Sequence, residues 1–149
     1  MKKVLLVDDD PDFVESIRLI LEKEAYQIIV ANSGEEGYRK AKSQRPDLII
    51  LDVMLETIDK GFEISRRLKQ DAELKKIPIL MLTAIKEITG MNMNQIGGYL
   101  NDISDPNYFS NPSINAPNIN NLIYYADAFY EKPIIPAEFL NKVKILLSK

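Results

Sequence analysis

The chain has 149 residues, with 19 Lys and Arg against 22 Asp and Glu, a formal net charge of -3, and no Cys, His or Trp. The length suits a single domain with a real core, and 46% hydrophobic with 28% charged residues is an ordinary globular composition. Without Cys or His, disulfides, thiol nucleophiles, Cys- or His-ligated metals and imidazole acid–base chemistry are excluded on this chain, which leaves carboxylates, hydroxyls, Lys and Arg.

At the N-terminus, Met1-Lys2-Lys3 leads into Val4-Leu5-Leu6-Val7, too short a run for a signal-peptide core, and it reads as a first strand. Asp10 offers an N-cap and Pro11 a first helical position, and Phe13, Val14, Ile17, Ile20 and Leu21 recur at helical spacing, with an end expected near Glu24. Gln27 to Ala31 is the second strand, followed by a helix opened by a Ser33/Glu36 capping box and carrying Tyr38 and Ala41. Leu48-Ile49-Ile50-Leu51 is a third strand, continuously apolar as in a strand buried on both faces. A third helix is expected from about Gly61 to Lys69 with Ile64 and Leu68 inward, and Lys69, Lys75 and Lys76 read as its solvated end. Ile77 to Leu82 gives a fourth strand, Ala128 to Tyr130 a short fifth, and Pro136 opens a last helix through Phe139, Leu140, Val143 and Leu147.

Between strands four and five the pattern fails. From Glu87 to Glu131 there is no Lys or Arg, and Thr89 to Asn121 contains nine Asn, three Gly and three Pro. We read residues 87–121 as an irregular insertion packed at least partly on the domain, because Met91, Ile96, Tyr99, Leu100, Tyr108 and Phe109 oppose full disorder, with a tolerated surface loop as the equal alternative. No segment approaches the roughly 20 apolar residues of a membrane span, so a cytoplasmic protein without membrane insertion is expected. Mild acidity and the lack of a basic run argue against direct nucleic-acid binding.

Alternating strands and helices imply an α/β protein with a parallel sheet, and right-handed crossovers in the order 2-1-3-4-5 would make strands one and three neighbours. Asp8 and Asp9 then follow strand one, Asp52 ends strand three, Thr83 ends strand four and Lys132 follows strand five. All five can converge outside the carboxyl ends of the strands, where open parallel sheets bind ligands. Clustered carboxylates need a cation, and oxygen-only ligands favour Mg²⁺. A carboxylate can also be a nucleophile toward phosphorus, with a metal, a Lys ammonium and a hydroxyl gathering the transition-state charge; Asp52, Mg²⁺, Lys132 and Thr83 would supply those parts.

Four segments carry a family resemblance: Val4-Leu5-Leu6-Val7-Asp8-Asp9-Asp10-Pro11, Pro46-Asp47-Leu48-Ile49-Ile50-Leu51-Asp52-Val53-Met54-Leu55, Ile79-Leu80-Met81-Leu82-Thr83-Ala84 and Phe129-Tyr130-Glu131-Lys132-Pro133. In this order and spacing the chain resembles the receiver domains of two-component response regulators, except over roughly Glu87 to Asn121. The resemblance implies a flavodoxin-like (βα)5 doubly wound fold and transfer of a phosphoryl group to Asp52 from a sensor histidine kinase or a histidine phosphotransfer protein. It implies that Asp9, Asp52 and the Met54 backbone carbonyl bind Mg²⁺ directly, with Asp8 acting mainly through water. It also implies a switch in which Thr83 turns toward the phosphoryl group and Phe129 moves inward, altering the surface of the family's fourth helix, fifth strand and fifth helix.

The match has departures. Glu56 stands where the family usually has Pro, and Gly61 comes one residue late, with Lys60 as the extra residue. The insertion rebuilds the usual output face, and we expect it to define a dedicated partner surface. Met54 and Ile85 are apolar at positions flanking the phosphate site, which predicts a comparatively long-lived aspartyl-phosphate. Asp10 reads as a helix cap rather than a ligand, and Tyr124, Tyr125 and Tyr130 as packing residues.

The leading expectation is a single receiver domain over residues 1–149 with no output domain, which engages an unknown downstream protein directly and is at most self-phosphorylating and self-dephosphorylating. Two alternatives stand beside it. One is a non-cycling pseudo-receiver that works as an interaction module. The other is an Asp-nucleophile phosphatase of the haloacid-dehalogenase kind, suggested by Asp8 and Asp10 but opposed by Asp12 where that motif expects Thr or Val.

Overall fold

The computed structural model describes residues 1–52, 58–83 and 126–148. Five strands, β1 (Lys3–Val7), β2 (Gln27–Ala31), β3 (Leu48–Asp52), β4 (Ile79–Thr83) and β5 (Ala128–Glu131), form one sheet in the order β2-β1-β3-β4-β5. Every neighbouring pair is parallel. The expected strand order and doubly wound α/β architecture are therefore observed.

Among the described residues the sheet is flanked by α1 (Pro11–Leu21), α2 (Gly34–Gln44), α3 (Ile58–Gln70) and α4 (Pro136–Leu147). Strand alternation divides the core into two layers. Val4, Leu6, Ile50, Leu80 and Leu82 meet Ile17, Leu21, Phe139 and Val143 of α1 and α4 on one face. Leu5, Val7, Ile49, Leu51 and Met81 meet Ala41, Ile64 and Leu68 of α2 and α3 on the other. β3 is central and all five of its residues are buried, which is why its sequence shows no polar alternation.

Helix ends follow local chemistry. The Asp10 side chain caps α1 by accepting from the backbone N–H of Asp12 (3.0 Å) and of Phe13 (3.4 Å), an arrangement that contributes about 1 kcal/mol to a helix. α1 stops at Leu21, earlier than expected, because Lys23 and Glu24 bond back only three residues, to Ile20 and Leu21, and tighten the chain into a turn. In α2, Ser33 Oγ accepts from the Glu36 N–H (3.2 Å), while the Glu36 carboxylate reaches the N–H of Asn32 (3.3 Å) rather than that of Ser33. α3 starts at Ile58, three residues before the expected Gly61, so that glycine lies inside the helix. β4 begins at Ile79 because Pro78 has no N–H and the Ile77 N–H is committed to Leu74 (3.0 Å).

Two close approaches set the helices on the sheet. A Cβ on Gly37 would lie 2.8 Å from Val7 Cγ2, so α2 rests directly on the last residue of β1. Lys69 is not the solvated charge expected of it: its ammonium bonds the Ile77 carbonyl (3.0 Å) and pairs with Asp127 (2.5 Å). Asp127 in turn accepts from the Ile79 N–H (2.8 Å), so α3, the start of β4 and the approach to β5 are tied at one point. Lys75 and Lys76 are exposed as expected. No described helix is long and apolar enough to cross a membrane.

Candidate functional site

Because the sheet is wholly parallel, the carboxyl ends of β1, β3, β4 and β5 share one edge, and the chemistry-bearing residues lie there. Asp8 follows β1 and is fully buried; its N–H donates to Ala31 (3.0 Å) and its Oδ1 accepts from the Asp10 N–H (2.9 Å). Asp52 closes β3, 4% exposed, opposite Leu82 of β4. Lys132 follows β5 and places its ammonium 2.9 Å from Asp52 Oδ2. A residue that ends the central strand and one that follows the edge strand β5 are thus joined, 80 positions apart in sequence.

The electrostatics are those of acids held against their preference. Burial pushes the Asp8 carboxyl up from 3.8 to about 7, and the neighbouring Asp52 carboxylate adds to the rise. The Asp10 N–H and the Lys132 ammonium oppose it without cancelling it. Asp8 Oδ2 is buried and has no hydrogen-bond partner among the described residues. An orphaned carboxylate oxygen beside a second carboxylate is a demand for positive charge that one Lys only partly meets.

That demand is the test of whether a cation fits. The donors are oxygens only, on Asp8, Asp52 and the adjacent, exposed Asp9, which is the set a hard divalent ion such as Mg²⁺ takes while keeping waters of its own. No three acidic side chains among the described residues form a ready-made ligand cluster. The residues fit a site completed by water rather than a closed cage.

The structure thus brings Asp8, Asp52 and Lys132 together, with Asp9 next to Asp8 in the chain. Asp10 is the helix cap expected of it. The Thr83 backbone ends β4 in register with Glu131, and its side chain lies outside the described residues, as do Met54, Ile85 and the insertion at 87–121. Phe129 pairs with Met81 and stands half-buried on the α2–α3 face of the sheet, one residue from Tyr130, which packs on the opposite face.

Two residues support the site without having been marked by the sequence. Phe13 turns its ring under the Lys132 ammonium, 4.1 Å from Nζ to the ring centroid. Tyr130 is a packing residue as expected, edge-on to Phe139 at 5.4 Å, yet its phenol also braces the loop that carries Lys132. It accepts from the Ile135 N–H (3.1 Å) and lies 3.4 Å from the Ile135 carbonyl. Helical spacing identified Phe13 as an inward residue, but spacing carries no information about a partner on β5.

Comparison with known proteins agrees with this geometry. Residues 4–99 match the family described as the response regulator receiver domain. The alkaline phosphatase synthesis transcriptional regulatory protein PhoP of Bacillus subtilis is 45% identical over 86 residues, which is 58% of this chain and 35% of PhoP. The phosphate regulon transcriptional regulatory protein PhoB of Pseudomonas aeruginosa is 31% identical over 99% of this chain and 52% of its own length. The chain therefore spans only about a third to a half of these relatives. Among solved structures, the signal receiver domain of a signal transduction histidine kinase from Syntrophus aciditrophicus superposes with a TM-score of 0.72 at 28% identity, covering 99% of this chain and 91% of that one. With its four motifs placed on one edge of a 2-1-3-4-5 sheet and most of its length matched, the chain belongs to the response regulator receiver domain family.

Proposed function

We propose that this chain is a phospho-switch whose phosphoacceptor is Asp52, charged by a sensor histidine kinase or a histidine phosphotransfer protein. Phosphorylation-dependent signalling is the function of the family to which it belongs. One observation supports Asp52 above the other acids: it ends the central strand almost fully buried, with Oδ2 held 2.9 Å from the Lys132 ammonium and Asp8 beside it.

The residues divide the work. A carboxylate oxygen of Asp52 attacks the phosphorus of a phosphohistidine; a P–O bond forms, the P–N bond breaks, and the electron pair leaves with the imidazole, which takes a proton from solvent. Lys132, already at Asp52, turns toward the phosphoryl oxygens as charge builds on them. Asp8, Asp9 and Asp52 are the residues that would hold Mg²⁺, with the Met54 carbonyl as a further ligand implied by the family. When bound, Mg²⁺ supplies positive charge to the phosphoryl oxygens. Thr83 and Phe129 are assigned the switch, and a protein partner the output.

The test is intact mass and a phosphate-affinity gel after incubation with Mg²⁺ and acetyl phosphate, comparing the native chain with Asp52→Asn. A Mg²⁺-dependent adduct that vanishes in the variant is expected. An unmodified native chain, also after incubation with phosphorylated histidine kinases, would replace this reading with that of a constitutive interaction module.

A further inference from the structure

Lys132 has a demanding task for a flexible side chain. Its ammonium must neutralise Asp52 before reaction, yet afterwards that oxygen belongs to a neutral acyl phosphate linkage and the charge lies on the phosphoryl oxygens. Its side chain is 25% exposed, so solvent competes for it while it changes acceptor. A hydrogen bond to a fixed acceptor would hold it in one position and oppose the change.

The ring of Phe13 offers a different kind of hold. The attraction between an ammonium and an aromatic face is electrostatic, spread over the face and tolerant of pivoting about it. At 4.1 Å from the centroid, Lys132 Nζ has the ring on one side and Asp52 on another. The backbone that carries the ring is itself tied to the acid pair. Phe13 lies in the first turn of α1, its N–H is bound by Asp10 Oδ1 (3.4 Å), and the Asp10 N–H is bound by Asp8 Oδ1 (2.9 Å). Asp8, Asp10, Phe13, Lys132 and Asp52 thus form a chain of contacts that runs from one of the two neighbouring acids to the other.

We propose that Phe13 is a positioning residue for the phosphoryl step, its ring face holding the Lys132 ammonium in the site while that ammonium passes from the Asp52 carboxylate to the phosphoryl oxygens. This rests on Asp52 being the phosphoacceptor. The alternative is that the ring merely fills space against the α1–α4 layer of the core, with which it also packs.

A double-mutant cycle with a rescue separates the two. The initial rate of Mg²⁺-dependent acyl phosphate formation from acetyl phosphate is measured by intact mass for the native chain, Phe13→Leu, Phe13→Tyr, Lys132→Met and Phe13→Leu/Lys132→Met. Phe13→Leu, which keeps apolar bulk and removes the ring, is expected to slow the reaction roughly threefold to tenfold, the range of a partly desolvated cation–π contact. Phe13→Tyr should restore most of the rate, and Phe13→Leu should cause no further loss once Lys132 is Met. Without any reaction, the Lys132 side-chain resonances should show an upfield ring-current shift in the native chain that disappears in Phe13→Leu. A native rate in Phe13→Leu, an equal loss in Phe13→Tyr, the same fold-loss in the Lys132→Met background, or no ring-current shift would each overturn the inference while Asp52 remained the acceptor. No Asp52 adduct in the native chain would overturn both.

Discussion

Replacing Asp8 with Asn should make the Mg²⁺-free protein more stable, and by an amount that depends on pH. The folded chain holds the Asp8 proton up to about pH 7, whereas an unfolded carboxyl releases it near 3.8. Between these values the native state binds a proton that the unfolded state has lost, so this contribution is present at low pH and disappears as pH rises through 7. At about 1.4 kcal/mol per pH unit, the native chain should lose on the order of 3 kcal/mol between pH 5 and pH 8. The window is favourable, because the chain has no His or Cys, and among the described residues the acids with depressed values, Glu36 held by Lys40 and Asp71 held by Lys42, titrate below it. Asp8→Asn mimics the protonated carboxyl in both states, so it should match the native chain only below pH 3.8 and exceed it by about 2 kcal/mol at pH 5 and about 4 kcal/mol at pH 8. Urea unfolding in EDTA at several pH values gives the measurement directly. Native stability that stays flat from pH 5 to pH 8, or an Asn variant with the native slope, would refute the reasoning. Mg²⁺ added at pH 8 should return stability to the native chain more than to the variant, since the ion answers the demand that Asn removes.

Two further outcomes concern the frame around the site. Gly37→Ala sets a methyl carbon 2.8 Å from Val7 Cγ2, so the gain in helix propensity should be outweighed by overpacking against a β-branched side chain; a net loss of about 1 to 2 kcal/mol is expected in urea unfolding. Tyr130→Phe keeps the edge contact with Phe139 and removes the phenol that braces Ile135, which should cost about 1 kcal/mol and speed hydrogen exchange at the Ile135 amide. An unchanged exchange rate there would mean that the brace does not hold the loop.

The strands and their carboxyl ends were legible, the start of β4 excepted, because a parallel sheet buried on both faces writes its strands as unbroken apolar runs. Asp8, Asp52 and Lys132 could thus be assigned to one edge from the position of each run. Helix boundaries were less legible, since they depend on bonds such as those of Lys23 and Glu24 to carbonyls three residues back. Contacts between elements left the least trace. Nothing in the spacing of Lys69 announces Asp127, and nothing at Phe13 announces Lys132, because each partner is reached only after the crossovers have folded. The Asp10 cap was read correctly, being local to three consecutive residues and the helix they start.

Away from the site, Lys42 and Arg45 of the α2 segment grip Asp71 and Glu73 beyond α3, Tyr38 bonds Asp71, and Arg67 reaches across to Glu35. Most of these charges face solvent, so dissolved ions compete with them. The site obeys another variable, because Asp8 is buried away from bulk salt and its carboxyl responds to protons near neutrality. The molecule therefore has two separately adjustable halves. Raising ionic strength slackens the tie between α2 and α3 while leaving the Asp8–Asp52–Lys132 edge in place, and changing pH near neutrality does the reverse.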